Sequence, residues 1–432
     1  MLDIGFIRDN VAAVKEASAN KNVHVDIDEL MRIDDERRAL QQELDAVRQQ
    51  RNAAAAAAGT SKPSAAEIAT GKELKVKMQQ LEDKHGVAHK SFMALLTQVP
   101  NMPAKDVPIG PDESANHVVR QVGEVPKFDF DPKPHWELGK ELGVINSERA
   151  AEVAGSRFAY LLGPLVQVQF ALMQHAMSTV TSEAELQDIA ATAGLDVSTK
   201  PFVPVLPPMF VRPEVLQQMG RLEPKEDRYH TEADNLYLVG SAEHTLGPLH
   251  MKETIEEKDL PIRYIGYSTS FRRESGSHGK DVRGILRLHQ FDKLEIESFT
   301  SPDTSIAEQD FIVAIQEHLM QSLELPYQVV MNSTGDMGKP DHRQFDIETW
   351  MPGQNMYRET HSSDHMTDYQ ARRLHTKVRQ AGETVYAHMN DATVFAIGRT
   401  LIALMENHQQ ADGTIRIPAA LHPYLPFTSI GK

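Results

Sequence analysis

Cysteine is absent from all 432 residues, which excludes disulfides, thiolate nucleophiles and cysteine-ligated zinc and fits a reducing cytoplasm. Long apolar runs are missing too. None approaches the roughly 20 residues that cross a bilayer, so a membrane role is excluded at the level of helices. The opening Met1-Leu-Asp-Ile-Gly-Phe-Ile-Arg-Asp9 carries acids where a secretory leader needs basic residues, and is expected to be part of the fold. Positive charge is in short supply, with 45 Lys and Arg against 61 Asp and Glu and a net charge of -16. Affinity for a polyanion must then come from a restricted basic surface. The length allows two or three domains.

What is present begins with two long amphipathic segments. From about 26 to 52, Leu30, Ile33, Leu40, Leu44 and Val47 recur at three- and four-residue steps among dense charges. From about 64 to 99, Leu74, Met78, Leu81, His85, Ala88, Phe92 and Leu95 do the same, which is the pattern of a coiled-coil seam. Ala53 to Ala58 prolongs the first helix, and Gly59 and Pro63 allow a reversal, so an antiparallel hairpin is expected. Such an arm serves as a dimerisation coiled coil or, through Lys72, Lys75, Lys77, Lys84 and Lys90 with Arg37, Arg38, Arg48 and Arg51, as an RNA contact. Composition leaves both open.

The proline-rich stretch 100–111 ends the arm and places the domain boundary near 105, giving units 1–105 and 106–432. In the second unit, helical stretches near 165–181 and 213–220 alternate with strand-like runs near 263–273, 285–299, 327–331 and 344–351. Several links are too short for helical crossovers, so an α+β body on a mainly antiparallel sheet is expected.

The segment from Phe271 to Glu295 concentrates chemistry. Read as strand, glycine-bearing loop and strand, it puts Arg272 and Glu274 on one face, with Arg287, His289, Phe291, Lys293 and Glu295 facing the same way. An Arg fork holds phosphate, a Phe ring stacks on a purine, and a carboxylate accepts from the purine's amino group, so this face has the parts of an ATP site. Gly276-Ser-His-Gly-Lys280 is not a P-loop, because two residues rather than four separate its glycines and Asp281 follows the Lys. His361 and His365 lack an evident third ligand, and no zinc is expected. Near the C-terminus, Arg399 follows Gly398 in an otherwise apolar helix and needs an anion, either a triphosphate or an internal carboxylate.

These features together closely resemble the seryl-tRNA synthetase family of class II synthetases over essentially the whole chain. The arm, Arg157-Phe-Ala-Tyr-Leu161, Val211 to Leu216, the Phe271 to Glu295 hairpin (class motif 2), Met351-Pro-Gly-Gln354, Gly398-Arg399 (motif 3), Gln409 to Pro418 and Pro208 (the dimer-forming motif 1) carry the likeness. The resemblance implies a homodimer that activates L-serine with ATP and magnesium, then loads tRNA(Ser); it leaves tRNA(Sec) open as a second acceptor. It makes Arg272 and Arg399 catalytic, gripping the α- and γ-phosphates. It assigns ATP binding to Arg272, Arg273, Glu274, Leu288, Phe291, Glu359, Thr360, His361, Ser362 and Arg399. It assigns serine binding to Ser241, Ala242, Glu243, Arg272, Glu295 and Thr393, and magnesium to Glu359 and Ser362. Three departures stand out: Ser241 for Thr, His361 for a small Ser, where it is expected to crowd the ATP loop, and Asn390-Asp-Ala-Thr393 for Asn-Gly-Ser-Gly. The last motivates an alternative, a paralogue that delivers its activated amino acid to a carrier or small molecule.

Overall fold

The computed structural model describes residues 1–58, 64–275 and 283–431. It divides into two compact units, Met1–Met102 and Pro103–Lys432.

The first unit is helical. After two short helices, Ile4–Asp9 and Val11–Asn20, come the long helices α1 (Ile27–Ala58) and α2 (Ala65–Leu96). Ser64 starts α2 through a capping box, accepting from the Glu67 amide while the Glu67 carboxylate accepts from its own. Along the seam Leu44, Val47 and Leu81 are buried with Leu40, Leu74 and Met78 beside them; each buried aliphatic contributes roughly 1.5–3 kcal/mol. Closer to the base, Asp34 is buried and held by Arg8 and Arg37, and the Arg37 guanidinium lies 4.7 Å over Phe92. The expected reversal at 59–63 lies outside the described residues.

The second unit is built on a sheet of eight strands: β1 (His117–Val122), β2 (Val203–Val205), β3 (Ile262–Phe271), β4 (Gln290–Thr300), β5 (Tyr327–Met331), β6 (Arg343–Met351), β7 (Met356–Thr367) and β8 (His388–Ala396). Their order is β1-β5-β6-β7-β8-β4-β3-β2, antiparallel except for β2 with β3. Helices α3 (Pro164–Val180), α4 (Ser305–Ser322) and α5 (Ile397–Asn407) join the sheet in one apolar core, which takes Leu294 and Ile296 of β4, Val394 of β8 and Ile347 of β6. Strand alternation leaves Lys293, Glu295 and Glu297 pointing the other way. A fully buried pair, Arg263 and Glu308, ties β3 to α4 through two bonds of 2.6 Å, an arrangement stable only with complete pairing.

The two hairpin strands are shorter than the sequence pattern implies. β3 stops at Phe271 and β4 starts at Gln290; the Arg272 amide still donates to the His289 carbonyl at 3.0 Å, whereas Glu274 and Arg287 lie outside the strand pair. Beyond that pair, tertiary bonds replace the ladder. The Ile285 amide donates to His135 Nε2 at 3.1 Å, the His289 amide to the Arg157 carbonyl, and Glu274 adopts φ +53°, which a β-strand does not permit.

Candidate active site

A cleft of about 340 Å³ opens on the sheet face away from α4, lined at one end by Glu274, Phe291, Gly398 and Arg399 and at the other by Arg221, Glu243, Asp364 and Thr393. Arg272 lies between them. Its Nε donates to the Gly240 carbonyl at 3.1 Å, and its guanidinium sits 5.3 Å from the Phe291 ring centre. Glu274 is oriented by Arg287 at 3.1 Å. Gly398 has a definite steric role, since a Cβ there would come within 3.2 Å of the Ile285 carbonyl oxygen. The hairpin's return thus passes close over the start of α5, bringing Leu288 and Arg399 to one wall.

Arg399 meets an internal carboxylate: its Nη1 donates to the Glu359 carbonyl at 2.7 Å and lies 3.1 Å from the Glu359 carboxylate. Burial pushes the Glu359 carboxyl up, but Arg399, with Lys293 and Arg272 beyond it, outweighs that and holds it below its ordinary value. Glu359 reaches the cleft because of a bulge in β7. Ile347 pairs with His361 and Glu348 with Glu359, so Thr360 is the extra residue and Glu359 and Ser362 both face the cleft.

That bulge corrects one expectation. The His361 ring does not crowd the nucleotide end; it is buried on the opposite side of β7, 5.8 Å from the Phe395 ring. Burial pushes its imidazole down to about 3, keeping it neutral. His365 lies four residues along the same strand, packed against His342 and His388. On a strand that separation spans about 13 Å, so the two do not share a metal; the spacing suggestive on a helix means nothing here.

At the other end, Thr393 Oγ1 donates to Glu295 at 3.4 Å and lies 3.3 Å from Ser362 Oγ, while Lys293 reaches both Glu295 and, at 3.3 Å, Ser241. Glu243 faces Arg221 at 3.1 Å. Burial pushes the Glu243 carboxyl up, but Arg221, His244, Lys293 and Arg272 together bring it down to about 2, so it is an anion at neutral pH. The cleft therefore joins a cationic and aromatic end to an acidic, hydroxyl-lined end, which suits a nucleotide beside a small amino acid.

Most of the residues expected from the sequence converge here: Arg272, Glu274, Leu288, Phe291, Glu359, Thr360, Ser362, Thr393 and Arg399 line the cleft with Glu243. Glu295 and Ser241 support it from beneath. Thr360 lines it with its hydroxyl turned to the Ile347 carbonyl at 3.1 Å. Two others point elsewhere. The Arg273 guanidinium lies over Tyr229 at 5.9 Å, and Ala242 is fully buried ahead of the short helix that carries Glu243. The structure adds Arg221, Asp364 and Gln344 to the lining. Asp364 was within reach of alternation from Ser362, whereas Arg221, just past the helix Pro213–Met219 and its cap Gly220, had no sequence signal.

The model of the seryl-tRNA synthetase N-terminal domain matches residues 1–103, and that of the class II core domain (G, H, P, S and T) matches 226–408. A serine--tRNA ligase of Syntrophobacter fumaroxidans is 38% identical, over 98% of each chain. One of Thermotoga neapolitana is also 38% identical, over all of both. The chain belongs to the seryl-tRNA synthetase family. Among solved structures, the seryl-tRNA synthetase of Pyrococcus horikoshii complexed with ATP superposes with a TM-score of 0.88 at 34% identity, covering 100% of this chain and 99% of that one. The cytoplasmic serine-tRNA ligase of Naegleria fowleri in complex with AMP gives 0.84 at 29%, covering 100% and 98%. The family fold is an N-terminal helical arm with an α+β core, and its members are ATP-dependent synthetases.

Proposed function

We propose that this chain, a serine--tRNA ligase, makes seryl-adenylate in the cleft between Arg399 and Glu243 and then loads serine onto tRNA(Ser). The observation that carries the reading is the convergence of Arg272, Phe291 and Arg399 with Glu243, Glu295 and Thr393 around one cavity. Phe291 stacks on adenine and Glu274 reads its amino group. Arg399 leaves the Glu359 carboxylate for the γ-phosphate, and Arg272, between the two ends, holds the α-phosphate. Glu243 takes the serine ammonium, and Glu295 with Thr393 takes the hydroxyl. Selection against alanine follows, because the buried Glu295 and Thr393 lose a partner when the hydroxyl is missing.

The serine carboxylate oxygen then attacks the α-phosphorus in line and pyrophosphate departs. No general base is required, and the protein contributes position and charge. Magnesium with the nucleotide supplies charge neutralisation between phosphates. Glu359 and Ser362 would hold it: both offer hard oxygen atoms on the same wall, and magnesium beside phosphates takes only one or two protein oxygens. The tRNA ribose hydroxyl finally attacks the adenylate's carbonyl, releasing AMP.

The lysines of α2 are the basic surface for tRNA, with Lys72, Lys75 and Lys77 fit to meet phosphates. A homodimer is supported by Val203, Leu206 and Phe210, exposed apolar residues flanking Pro208. The cytoplasm, where tRNA is charged, is the proposed compartment; among the described residues no helix is long and apolar enough to cross a membrane. Serine-dependent exchange of ATP and pyrophosphate tests the reading. Arg399→Ala and Arg272→Ala are each expected to slow it by roughly 100- to 1000-fold, and full rates in either would sink the assignment. Charging of purified tRNA(Ser) separates this activity from delivery to a carrier.

A further inference from the structure

Lys293 is a buried cation of the cleft wall with no part in the steps above. It lines the cavity with Phe291 and Thr393 and is 8% exposed. It stands two residues before Glu295 on β4, so both side chains leave the same face of the strand. Their neighbours across the ladder are small: Ser268 and Ala396 beside Lys293, Gly266 and Thr393 beside Glu295. The lysine stem therefore has room to lie back along the strand, and its ammonium meets Glu295 Oε1 and, at 3.3 Å, Ser241 Oγ. Thr393 Oγ1 reaches the same carboxylate oxygen from β8.

Glu295 needs that cation. It is buried among acids, with Glu243 near it and, in the next row across β4, β8 and β7, Glu297, Asp391 and Asp364, where Glu297 stands opposite Asp391 and Asp391 opposite Asp364. Arg221 is taken by Glu243, Asp391 and Asp364, and Arg272 acts on Glu295 without an ion pair. Among the described residues, Lys293 is the one cation ion-paired to Glu295. Burial pushes the Glu295 carboxyl up and Glu243 adds to it, while Lys293 is the strongest influence pulling it back. Without that ammonium, a carboxylate at such depth takes up a proton. The difference matters to a bound hydroxyl, because an ionised acceptor holds it roughly twice as strongly as a neutral one.

We propose that Lys293 is a positioning residue for serine recognition: its ammonium holds Glu295 as an anion beside Thr393, so that a carboxylate and not a neutral carboxyl accepts from the substrate hydroxyl. This rests on the adenylation reading of the same site. Lys293 acts through Glu295 and takes no part in the chemical step. Selection of serine over alanine is thereby a property of the pair. A neutral residue at 293 weakens the hydroxyl's contact, and costs alanine, which has no hydroxyl to place, far less.

The test is ATP–pyrophosphate exchange by the full-length protein with serine and with alanine, from about pH 5 to 8, in the parent, Lys293→Gln, Glu295→Gln and the double variant. Lys293→Gln should lower the serine-to-alanine ratio of kcat/KM by roughly tenfold. The acid limb of its kcat/KM for serine should move to higher pH, because Glu295, no longer pulled back, protonates sooner as the pH falls. A loss of packing alone lowers the rate at every pH alike. In the Glu295→Gln background the same lysine change should shift neither the ratio nor the limb. A Lys293→Gln protein with the parent's ratio and acid limb would overturn the proposal, as would a further drop in the ratio in the double variant. If Lys293→Gln alone fails to fold, Glu295→Gln against the double variant, which leaves neither charge of the pair without its partner, decides the matter. Absence of serine exchange in the parent would strike the adenylation reading instead.

Discussion

The buried carboxylate of Glu406 offers the sharpest test of how the cleft is held open. It lies on α5 and is fully buried. Its Oε1 accepts from the His135 amide and from His135 Nδ1, each at 2.9 Å, and its Oε2 accepts from the Gly353 amide at 2.9 Å. His135 Nε2 in turn accepts from the Ile285 amide at 3.1 Å, which fixes the ring proton on Nδ1. One acid thus orients the ring that anchors the hairpin's return, and a Cβ on Gly284 would come within 1.9 Å of that ring. Glu406→Gln keeps the shape but offers a single acceptor oxygen. If that oxygen keeps the His135 donors, its amide nitrogen faces the Gly353 N–H, so one charge-assisted bond is lost and two are weakened. The expected cost is about 3 kcal/mol, and alanine, which strands all three donors, should cost about 4–5 kcal/mol. Urea unfolding followed by fluorescence measures both, and KM for ATP should rise as the wall at Ile285 to Leu288 loosens. A Gln variant within about 0.5 kcal/mol of the parent, below the price of any buried unpaired donor, would refute the reasoning.

The contribution of the buried histidines to stability should fall as the pH is lowered from 6.5 toward 4. Burial pushes His175 and His388 down to about 4 and His244 and His361 down to about 3; these rings stay neutral in the fold while the unfolded chain protonates. Their contribution is present above 6.5 and lost below it, at about 1.4 kcal/mol per pH unit for each, as an upper figure. The histidine contribution is read by difference: the change in urea midpoint between pH 7 and 5 should shift in His175→Gln relative to the parent, and an identical pH dependence in the two would contradict it. Asp346, Asp364, Asp391 and Glu297, pushed well above the carboxylate range by burial and neighbouring acids, work in the opposite sense: their contribution is full below about 4 and lost as pH rises through their raised values. Replacing Lys72, Lys75 and Lys77 with Glu should raise KM for tRNA roughly tenfold and flatten its salt dependence, with serine-dependent exchange unchanged. An unaltered salt dependence in charging assays would remove the arm's lysines from the interface.

Periodicity determined the two helices of the arm, because apolar residues at three- and four-residue steps form one stripe along each, and α1 and α2 bury those stripes against each other. Residue chemistry likewise marked Arg272, Glu274 and Phe291 as the parts of a nucleotide site, while for Arg399 it left a triphosphate and an internal carboxylate equally open. Tertiary structure decided the rest. The β7 bulge, invisible to a period-two reading, sent Glu359 to the cleft and His361 to the core. His135 and Glu406, 271 residues apart, replaced the ladder at Ile285. The row Glu297, Asp391, Asp364 exists only because three strands distant in sequence align in register. Local spacing is written in the chain, whereas which face a bulged strand shows and which charges meet across strands depend on contacts that form only when the chain folds.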